Sequence, residues 1–285
     1  AYMELASLVE VLGRFVVTPT YLATISISLA VTALKDLYVA DFKYYAKGVK
    51  RTALYTGLIF SGGDDVLALA PVELALAFVK DMRRNYWGDV DGFHKIENYY
   101  FAAPAVEGFG RSFSVRFANI MDHMGEEIRK AAELLEEAKA AVWGPAQRKD
   151  SIVVSDSRSG VRAVLPLRPP RSLFWTPDYL NALFVARIGG ALSSNLPEDY
   201  APYAEAFAEL AVRAQSWDQQ AASTFRDMWR RLLERNIKAP GEKRGEVLKS
   251  LELGADLTTL LKGDAGSGFL LDELVKTYQV LRGYP

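Results

Sequence analysis

The sequence predicts an α+β protein with a ferredoxin-like domain over residues 1–167 and an all-helical domain over residues 168–285. Up to residue 167, apolar helical segments and short β-branched runs follow the order helix-strand-strand-helix-strand-helix-strand. That order is close to a β-α-β-β-α-β unit that lacks its first strand. After residue 168, amphipathic helical patterns continue without a strand-like run. With 285 residues, half of them hydrophobic, each domain can bury a core.

The composition excludes several classes of site. The chain has no cysteine, which excludes disulfides, cysteine-bound zinc and thiol catalysis. Its two histidines make a multi-histidine metal centre implausible. A formal net charge of −1 gives no global electrostatic attraction to nucleic acid or membranes, although a local basic patch stays open. Only six Asn and five Gln fit a heat-adapted source.

The first helix is predicted inside a charge-free run from Phe15 to Leu34. A run of this length is compatible with a membrane span. Pro19 and six hydroxyl side chains favour a buried helix that begins at Thr18-Pro19, with Pro at its first position, and continues towards Tyr45. No signal peptide is recognisable. We therefore expect a soluble, cytoplasmic protein.

A β-hairpin is predicted next. Two apolar runs, Thr52–Phe60 and Val66–Ala70, flank the turn sequence Ser61-Gly62-Gly63-Asp64-Asp65. Pro71 and Glu73 then begin a helix that reaches about Tyr86.

The remaining elements follow from period and breaker residues. We expect, in order, a loop over Trp87–Arg111, a strand over Ser112–Ala118, a helix over Gly125–Trp143, strands at Ile152–Ser155 and Val161–Leu165, a hinge at Leu167–Arg171, and a helix that begins at Thr176-Pro177-Asp178.

The acidic turn is the strongest chemical signal. Adjacent carboxylates at Asp64 and Asp65 repel each other, and burying them without compensation is costly. A divalent cation relieves that repulsion, since Mg²⁺ prefers carboxylate oxygens and completes its coordination with water and phosphates. Gly62 and Gly63 allow a triphosphate to approach the backbone. The pattern predicts phosphoryl-transfer chemistry; the alternative is a surface hairpin with common turn residues.

Three longer segments resemble one known family. They are FSGGDDVLALAPVELALAFVKDMR around the turn, TPTYLATISISLA before it, and RSFSVRFANIMDHMGEEIRKAAELLEEAK after it. Together they resemble the large palm-domain subunit of type III CRISPR effector complexes (the Cmr and Csm families). The resemblance covers roughly residues 18–166.

The resemblance implies a nucleotidyltransferase that joins ATP into cyclic oligoadenylate when its complex recognises target RNA. It implies that Asp64 and Asp65 bind Mg²⁺ or Mn²⁺ and act in catalysis. It further implies nucleotide contacts from Ser61, Gly62, Gly63, Lys139 and Ser26.

Two of these nucleotide contacts have competing interpretations. Lys139 follows Leu135 by four residues, which predicts a place on the inward stripe of its helix, where it either snorkels past the core edge or contacts a triphosphate. The Ser26 hydroxyl either lies near the nucleotide or bonds back to its own helix, the interpretation that the residues favour.

The chain also departs from the family pattern. The acidic strand that precedes the first helix in the family is not recognisable before Thr18, and the family's nuclease domain, first palm and zinc site are absent. We therefore expect the carboxy-terminal part of a larger or split subunit, with other CRISPR subunits, guide RNA and target RNA as implied partners. The alternative is a non-catalytic scaffold that docks small subunits and RNA. A stand-alone diguanylate-cyclase-like enzyme is disfavoured by Asp65-Val66, since those enzymes have Glu-Phe there.

For three further groups of residues we favour a structural role over a functional one. A loop with Asp89, Asp91, His94 and Glu97 lacks a full EF-hand pattern and is expected to be solvated. Arg226, Arg230, Arg231 and Arg235 follow helical spacing, which favours a salt-bridged or subunit-contact face over RNA contact. Aromatic residues at positions 86, 87 and 99–101 are expected to pack against the palm rather than stack on bases.

Overall fold

The computed structural model describes residues 19–42, 57–62, 65–87, 93–96, 99–102, 109–143, 147–167, 176–252 and 269–282. The chain divides into two compact units. The first comprises Ala1–Leu74 with Asp81–Arg111, and the second comprises Ala75–Lys80 with Ser112–Pro285. The predicted domain boundary at residue 167 stays a prediction.

The elements up to residue 111 begin with the predicted helix and hairpin. They are α1 (Pro19–Phe42), β1 (Gly57–Gly62), β2 (Asp65–Leu69), α2 (Val72–Trp87), β3 (Phe93–Ile96), β4 (Tyr99–Ala102) and β5 (Phe109–Gly110). β1 and β2 pair antiparallel and form a sheet of their own. The expected loop after α2 is wrong over β3 and β4, which pair antiparallel, because aromatic residues such as Tyr99 and Tyr100 favour strands.

A three-stranded sheet organises the next part of the chain. Its elements are β6 (Phe113–Phe117), α3 (Met124–Ala140), β7 (Val142–Trp143), β8 (Gln147–Lys149), β9 (Ser151–Asp156) and β10 (Arg162–Pro166). The strand order is β10-β9-β6, with β9 antiparallel to β10 and parallel to β6. Every residue of β9 is buried. The predicted helix is three residues too long, because Val142 and Trp143 pair with β8 instead.

The remaining elements are helical, as predicted. They are α4 (Thr176–Ile188), α5 (Leu196–Tyr200), a 3-10 turn (Ala201–Tyr203), α6 (Ala204–Gln215), α7 (Gln219–Asn236), α8 (Gly241–Leu251) and α9 (Leu270–Arg282). In the described part of this region, β structure is limited to isolated bridge positions, one of which pairs Leu192 with Ile237. Phe207, Phe225 and Phe269 form an aromatic core cluster, and α9 packs on β10.

The fold is therefore α+β, a palm followed by helices, as the sequence predicts. No helix within the described ranges has the length and apolar character needed to cross a membrane. In α1, the charge-free run ends at Leu34 and is followed by Lys35 and the fully buried Asp36.

Candidate functional site

The acidic turn lies at the end of the β1–β2 hairpin, as predicted. Ser61 pairs with Val66 and Gly62 pairs with Asp65. This register leaves two residues, Gly63 and Asp64, to connect the strands, and both lie outside the described residues. Connections of two residues favour glycine, aspartate and asparagine because their turns require positive φ. The sequence therefore suits the shortest hairpin connection.

Ser61 and Gly62 differ in what they offer at this end of the hairpin. The Ser61 Oγ atom is buried and has no hydrogen-bond partner within the described part of the chain. A buried hydroxyl left in this state costs about 1–3 kcal/mol, so a ligand that supplied a partner would recover that cost. A Cβ atom added to Gly62 would lie 2.9 Å from Cζ of Phe60, so the glycine also leaves space for that ring.

Asp65 is the described carboxylate of the predicted metal pair. Its side chain is exposed at the start of β2 and forms no ion pair with another described residue. Among those residues, no group of three or more His, Asp or Glu side chains could hold a metal ion. Mg²⁺ commonly uses one or two carboxylates together with substrate phosphates and water. An exposed carboxylate that follows a second aspartate at a glycine turn fits that donor set.

Ser26 lies on α1, which packs against β1. Its side chain is exposed, while the neighbouring Ser28 is buried. The hydroxyl-to-helix bond expected for Ser26 is instead shown by Thr32, whose Oγ1 donates to the Ser28 carbonyl at 2.9 Å. Exposure leaves the Ser26 hydroxyl accessible to a ligand.

Lys139 is not on a buried stripe, and that prediction is wrong. In α3 the buried position is Ala138, one residue earlier. The Lys139 side chain is 40% exposed, and its Nζ donates to Glu136 Oε1 at 2.9 Å. Although Lys139 follows the half-buried Leu135 by four residues, its longer side chain points towards solvent. Lys139 belongs to the second unit, whereas Ser26, Ser61, Gly62 and Asp65 belong to the first.

A buried polar network in the first unit was missed in the sequence. Arg111 Nη1 donates to Asp36 Oδ2 at 2.6 Å, and Asn85 Nδ2 donates to Asp36 Oδ1 at 2.6 Å and to the Thr32 carbonyl at 3.1 Å. The side chain of Asp36 is fully buried and that of Arg111 is 5% exposed. A sequence signal exists, since Ser28, Thr32 and Asp36 recur every four residues and therefore share one face of the helix. The network ties α1 to α2.

The electrostatics of this network are dominated by burial. Desolvation raises the pKa of Asp36 above its ordinary value, although the charge of Arg111 and the hydrogen bonds from Arg111 and Asn85 act to lower it. The Arg111 guanidinium also lies over the Tyr86 ring, 5.5 Å from its centroid. Tyr86, which we predicted to pack within the protein rather than to stack on bases, therefore contacts Arg111.

The arginines of α7 form the salt-bridged face that we favoured, in part. Arg230 pairs with Glu234 at 3.0 Å and with Glu252 at 3.5 Å, and Arg235 pairs with Asp199 at 3.6 Å. Arg226 and Arg231 are exposed and make no ion pair within the described ranges. The predicted loop residues Asp89, Asp91 and Glu97 lie outside those ranges, as does the side chain of His94.

Comparisons with known proteins point to one family. Residues 19–153 match the family model described as Cas10/Cmr2, second palm domain. The chain is 34% identical over 140 residues to the CRISPR system CMR subunit Cmr2 of Saccharolobus solfataricus, a match that covers 46% of this chain and 12% of that relative. It resembles a chain in the cryo-EM structure of the apo Type III-B Cmr-beta complex, with a TM-score of 0.71 at 23% identity, covering 95% of this chain and 27% of that chain.

Proposed function

Since residues 19–153 match the model of the Cas10/Cmr2 second palm domain, we propose that this chain is a catalytically active palm of a type III CRISPR ribonucleoprotein. In this proposal the palm binds ATP with Mg²⁺ or Mn²⁺ and synthesises cyclic oligoadenylate in the cytoplasm. Recognition of target RNA by the guide RNA and the other subunits starts the reaction. The observation that carries the proposal is the β1–β2 hairpin, in which Gly62 pairs with Asp65 and the sequence supplies Gly63 and Asp64 between them.

The hairpin residues have separate roles in this proposal. Asp64 and Asp65 would hold the metal, and when bound the metal neutralises the phosphate oxygens and acidifies an attacking hydroxyl. Gly62 and Gly63 allow the triphosphate to approach the backbone. The buried Ser61 hydroxyl gains a hydrogen-bond partner, which it does not have among the described residues. Ser26, exposed on the helix that packs on β1, contacts the nucleotide from α1.

The reaction is a nucleotidyl transfer between two ATP molecules. The 3′-hydroxyl of one ATP attacks the α-phosphate of the other, a phosphodiester bond forms, and the bond to the β-phosphate breaks. Pyrophosphate leaves and the hydroxyl proton passes to solvent. The chain contributes mainly positioning, as in other phosphoryl transfers. In this proposal, a different palm elsewhere in the complex presents the partner ATP.

Nucleotide products of the assembled complex test this proposal. Asp64→Asn and Asp65→Asn together keep the shape of the turn and remove both negative charges. With ATP, Mg²⁺ or Mn²⁺ and target RNA, we expect the wild-type complex to make cyclic oligoadenylate and the double variant to lose at least about a hundredfold, in line with removal of electrostatic stabilisation. Asp227→Asn, an exposed aspartate of α7, is the matched control and should keep full activity. Equal products from the double variant and wild type would refute a catalytic palm.

A scaffold is the second candidate, and exposed apolar side chains favour it. Trp217 is 93% exposed, Val185 is 60% exposed and Val212 is 52% exposed, all in the helical part of the chain. Tryptophan is enriched among the residues that carry the binding energy of protein interfaces. If the chain is only a scaffold, Trp217→Ala should weaken assembly of the complex, whereas the Asp64/Asp65 double variant should change neither the subunit composition nor the nucleotide products of the complex. Native mass spectrometry measures the composition and the product assay measures the nucleotides, so together they separate the two candidates.

A further inference from the structure

A cavity lies on the helical region, apart from the hairpin residues. Its volume is about 260 Å³. It opens between the 3-10 turn with α6 on one side and α7 on the other. The lining residues are Tyr203, Phe207, Met228, Arg231, Leu232 and Arg235.

The floor of this cavity is fixed by packing. Phe207 is 1% exposed and stacks on Tyr200 with ring centroids 5.3 Å apart. It also meets the Phe225 ring edge-on at 5.0 Å. The α7 residues of the lining lie at positions i, i+3, i+4 and i+7 from Met228, so they share one face of that helix. The cavity is therefore formed before any ligand arrives.

The charge at the rim is positive. Among the lining residues that the structure describes, both charged side chains are arginines and none is acidic. Arg231 is exposed and pairs with no carboxylate in the described part of the chain, whereas Arg230 on the same helix is neutralised by Glu234 and Glu252. Arg235 reaches Asp199 only at 3.6 Å and stays 66% exposed. An anionic ligand is the natural complement of this rim.

We propose that this cavity docks an acidic segment of a partner protein, which inserts one large apolar side chain and sets a carboxylate against Arg231. The apolar floor suits an aliphatic or aromatic side chain, and Met228 adapts to its shape. Arginine pairs with carboxylates in a bidentate geometry. A nucleotide is a poorer match, because a base pocket presents several hydrogen-bond groups to the edge of the base, and here the uncharged lining offers one phenol.

Methionine methyl NMR on the full chain tests the proposal. Met228 lines the cavity, the 87% exposed Met121 reports non-specific binding, and the fully buried Met82 reports intact folding. The probes are a short peptide in which glutamates flank leucine and phenylalanine, the same peptide with glutamine for glutamate, and a short single-stranded oligoadenylate RNA. We expect the acidic peptide to shift Met228 alone at up to about 1 mM, a concentration that detects weak binding, and the other two probes to leave it unchanged.

Charge reversal supplies the matched variants. Arg231→Glu should weaken binding of the acidic peptide about fivefold, which corresponds to the upper range for an exposed charge pair. Arg226→Glu makes the same change at an exposed arginine of α7 outside the lining and should leave binding unchanged. The proposal is overturned if the acidic peptide does not shift Met228, if the neutral peptide binds equally well, if RNA shifts Met228 instead, or if both variants behave alike with Met82 unperturbed.

Discussion

Replacing Asp36 by alanine removes the centre of the buried network in the first unit. The substitution takes away the carboxylate that accepts from Arg111 and Asn85, both at 2.6 Å. The guanidinium of Arg111 then stays in a site where its side chain is 5% exposed, without the counter-charge that Asp36 supplies. Breaking a buried ion pair from one side typically costs 3–5 kcal/mol. We therefore expect a loss of about 4 kcal/mol in the free energy of unfolding.

Urea unfolding followed by far-UV circular dichroism measures this loss. With a dependence on urea of about 2 kcal/mol per molar, a loss of about 4 kcal/mol lowers the midpoint by about 2 M. Leu34→Ala, at a 65% exposed position of the same helix, is the control and should change stability by about 0.5 kcal/mol or less.

A double replacement separates the ion pair from simple packing. Burial raises the pKa of Asp36 despite the nearby guanidinium, which indicates that desolvation outweighs the attraction. Replacing buried pairs with apolar residues of similar size is often neutral or stabilising. Asp36→Leu with Arg111→Met should therefore recover much of the stability lost in Asp36→Ala. A midpoint for Asp36→Ala within about 0.5 M of wild type, or a double variant as unstable as the single one, would refute this reasoning.

Two further predictions concern the second unit. The hydrogen bond from Arg116 holds the pKa of Glu127 below its ordinary value of 4.5, so the ionised Glu127 stabilises the fold above that pH, and this contribution is lost as the pH falls through the lowered pKa. Urea midpoints measured from pH 6 to about pH 3 should therefore fall less steeply in Glu127→Gln than in wild type. Identical slopes would contradict the assignment. Glu273 Oε2 accepts from the Val164 backbone N–H at 2.7 Å inside the core. Glu273→Ala should therefore lower the free energy of unfolding by about 1–3 kcal/mol in the same assay, whereas Glu273→Gln should lower it less because the amide carbonyl still accepts. Equal losses of stability in the two variants would contradict this role.

The sequence predicted those parts of the fold in which period and breaker residues agree. Pro19 begins α1, the strands β1 and β2 pair around the acidic turn sequence, and Thr176-Pro177 begins α4, as expected. The resemblance to the type III CRISPR palm was also confirmed. The β3–β4 hairpin was missed because glycines and a proline in the same stretch obscured its short aromatic strands.

The candidate site was predictable at its turn and less so around it. Adjacent aspartates at a glycine turn have few chemical interpretations, whereas the direction of a single long side chain depends on how its helix is rotated. The predicted inward position of Lys139 was wrong for that reason, since Ala138 is the buried residue, while its nucleotide contact stays a prediction. The Asp36–Arg111 pair joins residues 75 positions apart, and such a contact depends on tertiary packing that local patterns do not specify.

Glu273 gives the palm sheet a dependence on the far end of the chain. β10 is an outer strand of its sheet, and its Val164 backbone N–H donates to the Glu273 carboxylate, which lies 109 residues later in the chain. During synthesis on the ribosome, that strand emerges long before α9 exists to shield it, and an uncovered outer strand invites pairing with other chains. A recombinant palm truncated before α9 should therefore be prone to aggregation, and supplying α9 as a separate peptide should restore its solubility.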